Sequence, residues 1–381
     1  MRADGGIWRG TLVVLLMLGG LTACKQKGPG HAFDPMLQRL PPSAHAWLML
    51  DAQAAAEHYA SAWKTLRALP VCQAQPELGK RIDDLRAIAD GGLVLARKNL
   101  GFDPLSDIQR IAGAVIFEQD AKPRMALVVQ GRFPADVPKR MFPEAQEEKQ
   151  GEQRTYVTPG GGPDLALLGT ETLLLADKGL LKGMLSAKAL PEAVFKQHPS
   201  LKQKLAPDFV FRLSVGAPLW LSKALQAVRT QPGVSALMGF DHLELEWDSL
   251  LRLAIAGKDE KAANNAEDIL GALTELNQAG IWAIRSAVQL ALAAELEGME
   301  DMPGWLKEAI RDPKPWLASL EALAPAPKVA PKINRQGTRV SMEMPVEGLQ
   351  ALLVWALPVV LPTWLSGGGL SVSSVTAGGT P

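Results

Sequence analysis

The chain runs to 381 residues, with 40 basic and 40 acidic side chains and a formal charge of +0. So even a balance argues against nucleic acid or a strongly charged surface as the partner. Cysteines number two, Cys24 and Cys72, too few for a disulfide-stapled scaffold.

The N-terminus reads as a secretory leader. Arg2 and Arg9 form a short basic region with one acid, Asp4, and Thr11 to Leu21 is an uncharged run of 11 residues. That length suits the apolar core of a signal peptide and is too short to span a bilayer. Leu21-Thr22-Ala23-Cys24 follows. Small residues before a cut fit the narrow pocket of a signal peptidase, and Leu-Thr-Ala-Cys resembles the lipobox of bacterial lipoproteins. The resemblance covers the first 24 residues. It implies that the Cys24 thiol takes a diacylglyceryl group, that cleavage falls before it, and that residues 1–23 are a signal peptide. Two or three acyl chains then make a lasting anchor, since each buried CH₂ contributes about 0.8 kcal/mol and one chain alone binds only marginally. Lys25 stands where enteric-type bacteria place Asp to keep a lipoprotein in the inner membrane. The resemblance therefore leans to the outer membrane. Residues 24–34, CKQKGPGHAFD, predict a flexible lipidated spacer. Removing residues 1–23 leaves a charge of 38 − 39 = −1. A body of roughly 330 ordered residues suffices for one large or two modest domains.

Ala46 to Asp51 (AWLMLD) is a short apolar strand, and Ala52 to Leu69 an Ala-rich helix. A second helix lies within Gln75 to Leu100, with apolar residues at Leu78, Ile82, Leu85 and Ile88, and Gly101-Phe102-Asp103-Pro104 ends it. Ile111 to Phe117 and Met125 to Gly131 predict a hairpin, with a short helix near Ala135 to Met141. Leu165 to Leu168 and Thr172 to Ala176 predict another around Gly169-Thr170-Glu171, and Lys178 to Ala187 a helix. The order then recurs. Phe209 to Val215 is a strand, Ala217 to Val228 a helix, and His242 to Trp247 pairs with Leu251 to Gly257. A helix over Asp259 to Asn277 precedes a last hairpin, Lys332 to Asn334 with Val340 to Met344, around Gly337-Thr338-Arg339. A closing helix runs from Val346 to about Leu357.

This pattern predicts an α+β fold, antiparallel hairpins with helices packed on one face, in two related halves. The halves are 35–190 and 200–357, the second with a helical insertion at 279–323. One continuous sheet shared by both halves is the alternative. Residues 366–381, SGGGLSVSSVTAGGTP, predict a disordered tail. Hairpins and amphipathic helices behind a lipobox are also similar to uncharacterised exported bacterial proteins built from such repeats. That likeness is diffuse and supplies no site residue.

Candidate chemistry is sparse. The five histidines stand in no HExxH-type spacing, and there is neither a nucleophile elbow nor a phosphate-binding glycine loop. No motif asks for a cofactor. The one suggestive stretch is Asp241-His242-Leu243-Glu244-Leu245-Glu246-Trp247. Strand alternation places His242, Glu244 and Glu246 on one face and Leu243, Leu245 and Trp247 on the other. One His with two carboxylates can hold a metal such as Zn²⁺. The ordinary alternative is a solvated outer face over a buried inner one. With Cys24 lipidated, Cys72 is left without a disulfide partner and reads as a passive, partly buried thiol. Seven of the ten Trp lie beyond residue 200; core packing accounts for them best, a binding groove or partner face next.

The expectation for function is a membrane-anchored envelope lipoprotein, non-enzymatic, that binds an envelope protein or an apolar ligand. A periplasmic hydrolase and a purely structural envelope component are the alternatives.

Overall fold

Strand β1 (Ala46–Asp51) is apolar at almost every position because it has a neighbour on each side and cover on both faces. The computed structural model describes residues 33–117, 123–150, 153–186, 189–216, 239–248, 250–272, 274, 312, 314–323 and 332–345. Its further strands are β2 (Ile108–Ile116), β3 (Arg124–Gly131), β4 (Gln146–Gln150), β5 (Gln153–Val157), β6 (Asp164–Leu168), β7 (Thr172–Ala176), β8 (Phe211–Gly216), β9 (Phe240–Trp247), β10 (Leu250–Gly257), β11 (Lys332–Gln336) and β12 (Arg339–Pro345). The helices are α1 (Asp34–Leu37), α2 (Ala52–Arg67), α3 (Pro70–Ala74), α4 (Pro76–Leu100), α5 (Pro104–Asp107), α6 (Val137–Met141), α7 (Leu181–Leu185), α8 (Glu192–Gln197) and α9 (Lys314–Leu323). Residues 260–272 are also helical.

Local chemistry sets several of these boundaries. The Asp51 carboxylate ends β1 and accepts from the Ala54 N–H at 3.0 Å, which caps α2. Pro76 opens α4, and Gly101, at φ 75°, closes it in the left-handed conformation. Asp103 caps α5 through the Leu105 N–H, and Asp259 caps the 260–272 helix through the Ala262 N–H.

All the strand pairs are antiparallel and form one sheet in the order β11-β12-β10-β9-β8-β1-β2-β3-β7-β6-β5-β4. The fold is α+β. The sheet is continuous from one half of the chain to the other, as the alternative reading had it. The earlier and later strands of the chain meet at the β1–β8 pair, with Leu48 opposite Leu213. On one side run β1-β2-β3-β7-β6 and on the other β8-β9-β10-β12-β11. Each run is a lone strand, a hairpin, and a second hairpin entered through its later strand. The closing turns match as well. Gly169 and Gly337 sit at φ 62° and 59°, where a side chain would be strained. The Thr170 and Thr338 carbonyls that follow accept from Phe133 N–H at 2.8 Å and Gly257 N–H at 2.9 Å.

The core has two faces. On the face of Trp47 and Met49, small and branched residues of β2, β3, β6 and β7 pack under Phe33, Leu37, Leu181, Met184, Leu201 and Phe209. Short segments around α1, α7 and α8 make this cover, where the sequence led us to expect helices on a single face. On the opposite face, Leu50, Ile111, Val129, Leu165, Phe211 and Trp247 pack with residues of α2, α4 and α6. That apolar layer continues through Ile255, Val340 and Met342 under the 260–272 helix. Helix α9 reaches back across the chain to the region of α3. Its Ser319 hydroxyl accepts from the Val71 N–H at 2.8 Å, and Trp316 packs beside Leu69 and Cys72.

The hairpin β4–β5 was not expected, because QEEKQ has little β propensity. The expected signal peptide, lipidated spacer up to residue 32, helices at 217–228 and 346–357, most of the insertion 279–323 and the tail 366–381 lie outside the described residues.

Candidate functional site

Beyond β1 the Trp47 face changes character. Strand register aligns Ser214 with Trp47 and Arg212 with Met49, then Glu244 with Ser214 and Glu246 with Arg212. One strand further, Arg252 faces Glu246, and Glu343 of β12 faces Arg252. The result is a ladder of alternating charges across β8, β9, β10 and β12, four strands whose other face is Leu, Ile, Val, Met and Trp.

The expectation of a solvated outer face is overturned. His242 is 6% exposed, Glu244 5%, and Arg212 2%. Charges at that depth must be paired and hydrogen-bonded. Arg212 donates to Glu246 and to the Ser200 and Gln203 carbonyls. Arg252 donates to Glu246 at 3.1 Å and also holds Asp248, with Glu343 at 3.4 Å. Arg339 donates to Glu244. What β-strand alternation alone does not disclose is that residues 198–209 fold back over this face.

At the centre lies a compact cluster of His198, Ser214, His242 and Glu244. The Ser214 hydroxyl is 2.9 Å from His198 Nδ1 and 3.2 Å from His242 Nε2. His242 Nε2 is in turn 3.0 Å from Glu244 Oε1. The two imidazole centroids are 5.1 Å apart, and Trp47 stands edge-on to His198 at 6.1 Å. Burial, and then the neighbouring His242, lower the proton affinity of His198 to a pKa of about 4. Burial opposes the charge on Glu244, but the His242 hydrogen bond and Arg339 outweigh it and hold the carboxyl down to about 2. At neutral pH, then, His198 is neutral and Glu244 ionised.

A serine, two histidines and a glutamate invite comparison with a hydrolytic relay, and the geometry does not make one. In such a relay the hydroxyl meets one ring nitrogen while the acid holds the other. Here Ser214 and Glu244 both address His242 Nε2. Because the carboxylate is ionised, that nitrogen carries its hydrogen and cannot take the serine proton. His198 is a poor base at about pKa 4, and Ser214 is 0% exposed.

The residues weighed as metal ligands are partly brought together. His242 and Glu244 are joined to each other, whereas Glu246 is bound by Arg212 and Arg252. Among the described residues, no group of three or more His, Cys, Asp or Glu side chains converges as a ligand set. Sequence reasoning missed His198, Ser214 and Arg339. The polar positions of FRLSV and RVSMEM carried the signal, since their alternation matches that of HLELEW.

Cys72 is buried, its thiol donates to the Leu66 carbonyl at 3.3 Å, and burial pushes its proton affinity up. It is therefore a protonated packing residue at neutral pH. Trp247 is buried within the apolar face, whereas Trp220, Trp282, Trp305, Trp355 and Trp364 lie outside the described residues. No helix among the described residues is long and apolar enough to cross a membrane.

No family model matches the chain, and no curated protein matches it. One solved structure to which it is similar is that of TP0453 in crystal form I, with a TM-score of 0.33 and 11% identity. The overlay covers 91% of this chain and 97% of that one. A fit that loose transfers neither fold nor function.

Proposed function

We propose that the protein is a lipoprotein of the bacterial cell envelope, anchored by acyl chains on Cys24 and more at home in the outer than the inner membrane. The observation that carries this reading is the order basic residues, 11-residue apolar run, Leu21-Thr22-Ala23-Cys24, polar spacer. Two acyl chains suffice to hold a body of this size at a bilayer. The body then works as a non-enzymatic binding protein for an envelope partner or an apolar ligand. Support for the second statement comes from the cluster at Ser214, whose wiring and burial suit cohesion and not proton relay.

Metabolic labelling with a fatty acid tests the anchor. The wild-type chain incorporates label and sediments with membranes, and Cys24→Ala abolishes both. Label retained in Cys24→Ala, or a mature N-terminus other than Cys24, would overturn the reading. Sucrose-gradient separation of the two membranes decides the location.

A further inference from the structure

The strap formed by residues 189–209 is attached to the sheet in an unusual way. It carries Leu201, Leu205 and Phe209 into the core beside Trp47, so it seals the apolar half of that face. Its polar attachments, however, are to the charged half. His198 reaches Ser214 of β8, and the Ser200 and Gln203 carbonyls take hydrogen bonds from Arg212 of β8. The strap is therefore pinned at the seam where hydrocarbon gives way to charge.

The pin has a chemical peculiarity. One hydroxyl, Ser214 Oγ, serves two imidazoles. Because His242 Nε2 points its hydrogen towards Glu244 and Ser214, the hydroxyl hydrogen goes to His198 Nδ1, which must be an acceptor. Among the described residues the groups facing His198 are few. They are His45 ahead of β1, Trp47 of β1, Ser214 of β8, and His242 and Glu244 of β9, with Arg339 of β12 behind Glu244. Glu244 favours a positive charge on His198 but is shared with His242 and Arg339, and burial with His242 outweighs it, His45 adding to the opposition.

We propose that His198 is a proton-operated latch: a proton on Nδ1 reverses its bond to Ser214, the hydroxyl is left with two donors and no acceptor, and the strap 189–209 releases from the sheet. No covalent step is involved. The proton comes from water and returns to it when the latch closes. Release uncovers Trp47, Leu201, Leu205 and Phe209, an apolar surface that the closed protein hides. The protein thereby acquires a second, acid-induced state with a binding surface for apolar ligands. This inference stands on the described cluster alone and does not depend on the lipid anchor.

Linkage sets the size of the effect. An imidazole held at about 4 in the closed state and released to its ordinary 6.5 shifts the open-to-closed ratio by up to tenfold per pH unit between these values. The full range is about 300-fold. The experiment is hydrogen exchange on the full chain from pH 7 to pH 4.5, corrected for intrinsic exchange, with the imidazole titrations followed by NMR in the same samples. Protection of the Leu201, Gln203 and Phe209 amides should fall roughly tenfold per unit below pH 6, while amides of the β2–β3 pair keep theirs. In His198→Gln the strap protection should no longer depend on pH over this range. Strap protection unchanged down to pH 4.5, or an unchanged pH response in His198→Gln, overturns the latch. The wild-type titration is independent of whether the variant folds: a His198 midpoint below 5 is expected, and one near 6.5 overturns the proposal.

Discussion

Between β2 and β7 the face that carries Trp47 is closed by hydrocarbon; between β8 and β12 the same face is closed by charge. Ala112, Val128 and Leu174 occupy the register rows that Arg212, Glu246 and Arg252 occupy across the β1–β8 seam. The first region is buried throughout and the second around β8 and β9, with Arg252, Arg339 and Glu343 a third or more exposed, and the physics differs. Apolar burial is non-directional and scales with area, about 25 cal/mol per Å². A buried charge ladder contributes little beyond its desolvation cost while every partner is present, and loses much when one partner goes. The hydrocarbon half therefore supplies stability, and the charged half is the more sensitive to loss of a single partner.

The largest expected effect is on the charged side. Arg212→Met takes from Glu246 the more buried of its two arginine partners and removes a donor from each of the Ser200 and Gln203 carbonyls, and should cost about 4 kcal/mol in a denaturant titration. The double variant Arg212→Met with Glu246→Leu should recover much of that loss. A double variant as unstable as the single would sink the account of this face. Next comes the hydrocarbon side: Leu174→Ala, at a position 0% exposed, should cost about 3 kcal/mol. Its loss should be independent of pH, unlike that of the ladder.

Acid sharpens the contrast further. His198 rests near 4 in the folded chain and near 6.5 in the unfolded one, so the unfolded chain binds more protons in between. Stability therefore falls as pH drops through that window, by about 2 kcal/mol after allowance for partial solvation. Glu244, near 2 when folded against an ordinary 4.5, adds a second loss below 4.5. His198→Gln should flatten the upper window and leave the lower one. Two smaller changes compare the halves directly. Asp51→Ala removes the cap of α2 and should cost about 1 kcal/mol. Gly169→Ala and Gly337→Ala should each cost about 1 kcal/mol, being matched left-handed turns, and unequal melting shifts would break the correspondence of the two strand runs.

Most of the element list was legible in the sequence. The hairpins at Gly169 and Gly337 announced themselves by a turn glycine between β-prone runs, and α4 by its 3.6-residue apolar spacing up to Gly101. The hairpin β4–β5 was not legible, since charged edge strands lack the apolar alternation that marks a half-buried one. Leu243, Leu245 and Trp247 were assigned to the inner face correctly, but their polar partners were assigned to water.

That last point divides what each level of organisation decided. Sequence alone determined that AWLML and LVV would be apolar on both faces, that HLELEW and RVSMEM would alternate, and that Leu21-Thr22-Ala23-Cys24 closes an uncharged run. Only the tertiary structure decided what covers the polar face, because alternation specifies a side of a strand and not its solvent. The strap 189–209 and the arginines of β8, β10 and β12 come from distant parts of the chain. Their convergence turned a surface-like pattern of His242, Glu244 and Glu246 into a buried network, and it turned Ser214 into the hinge point of that network.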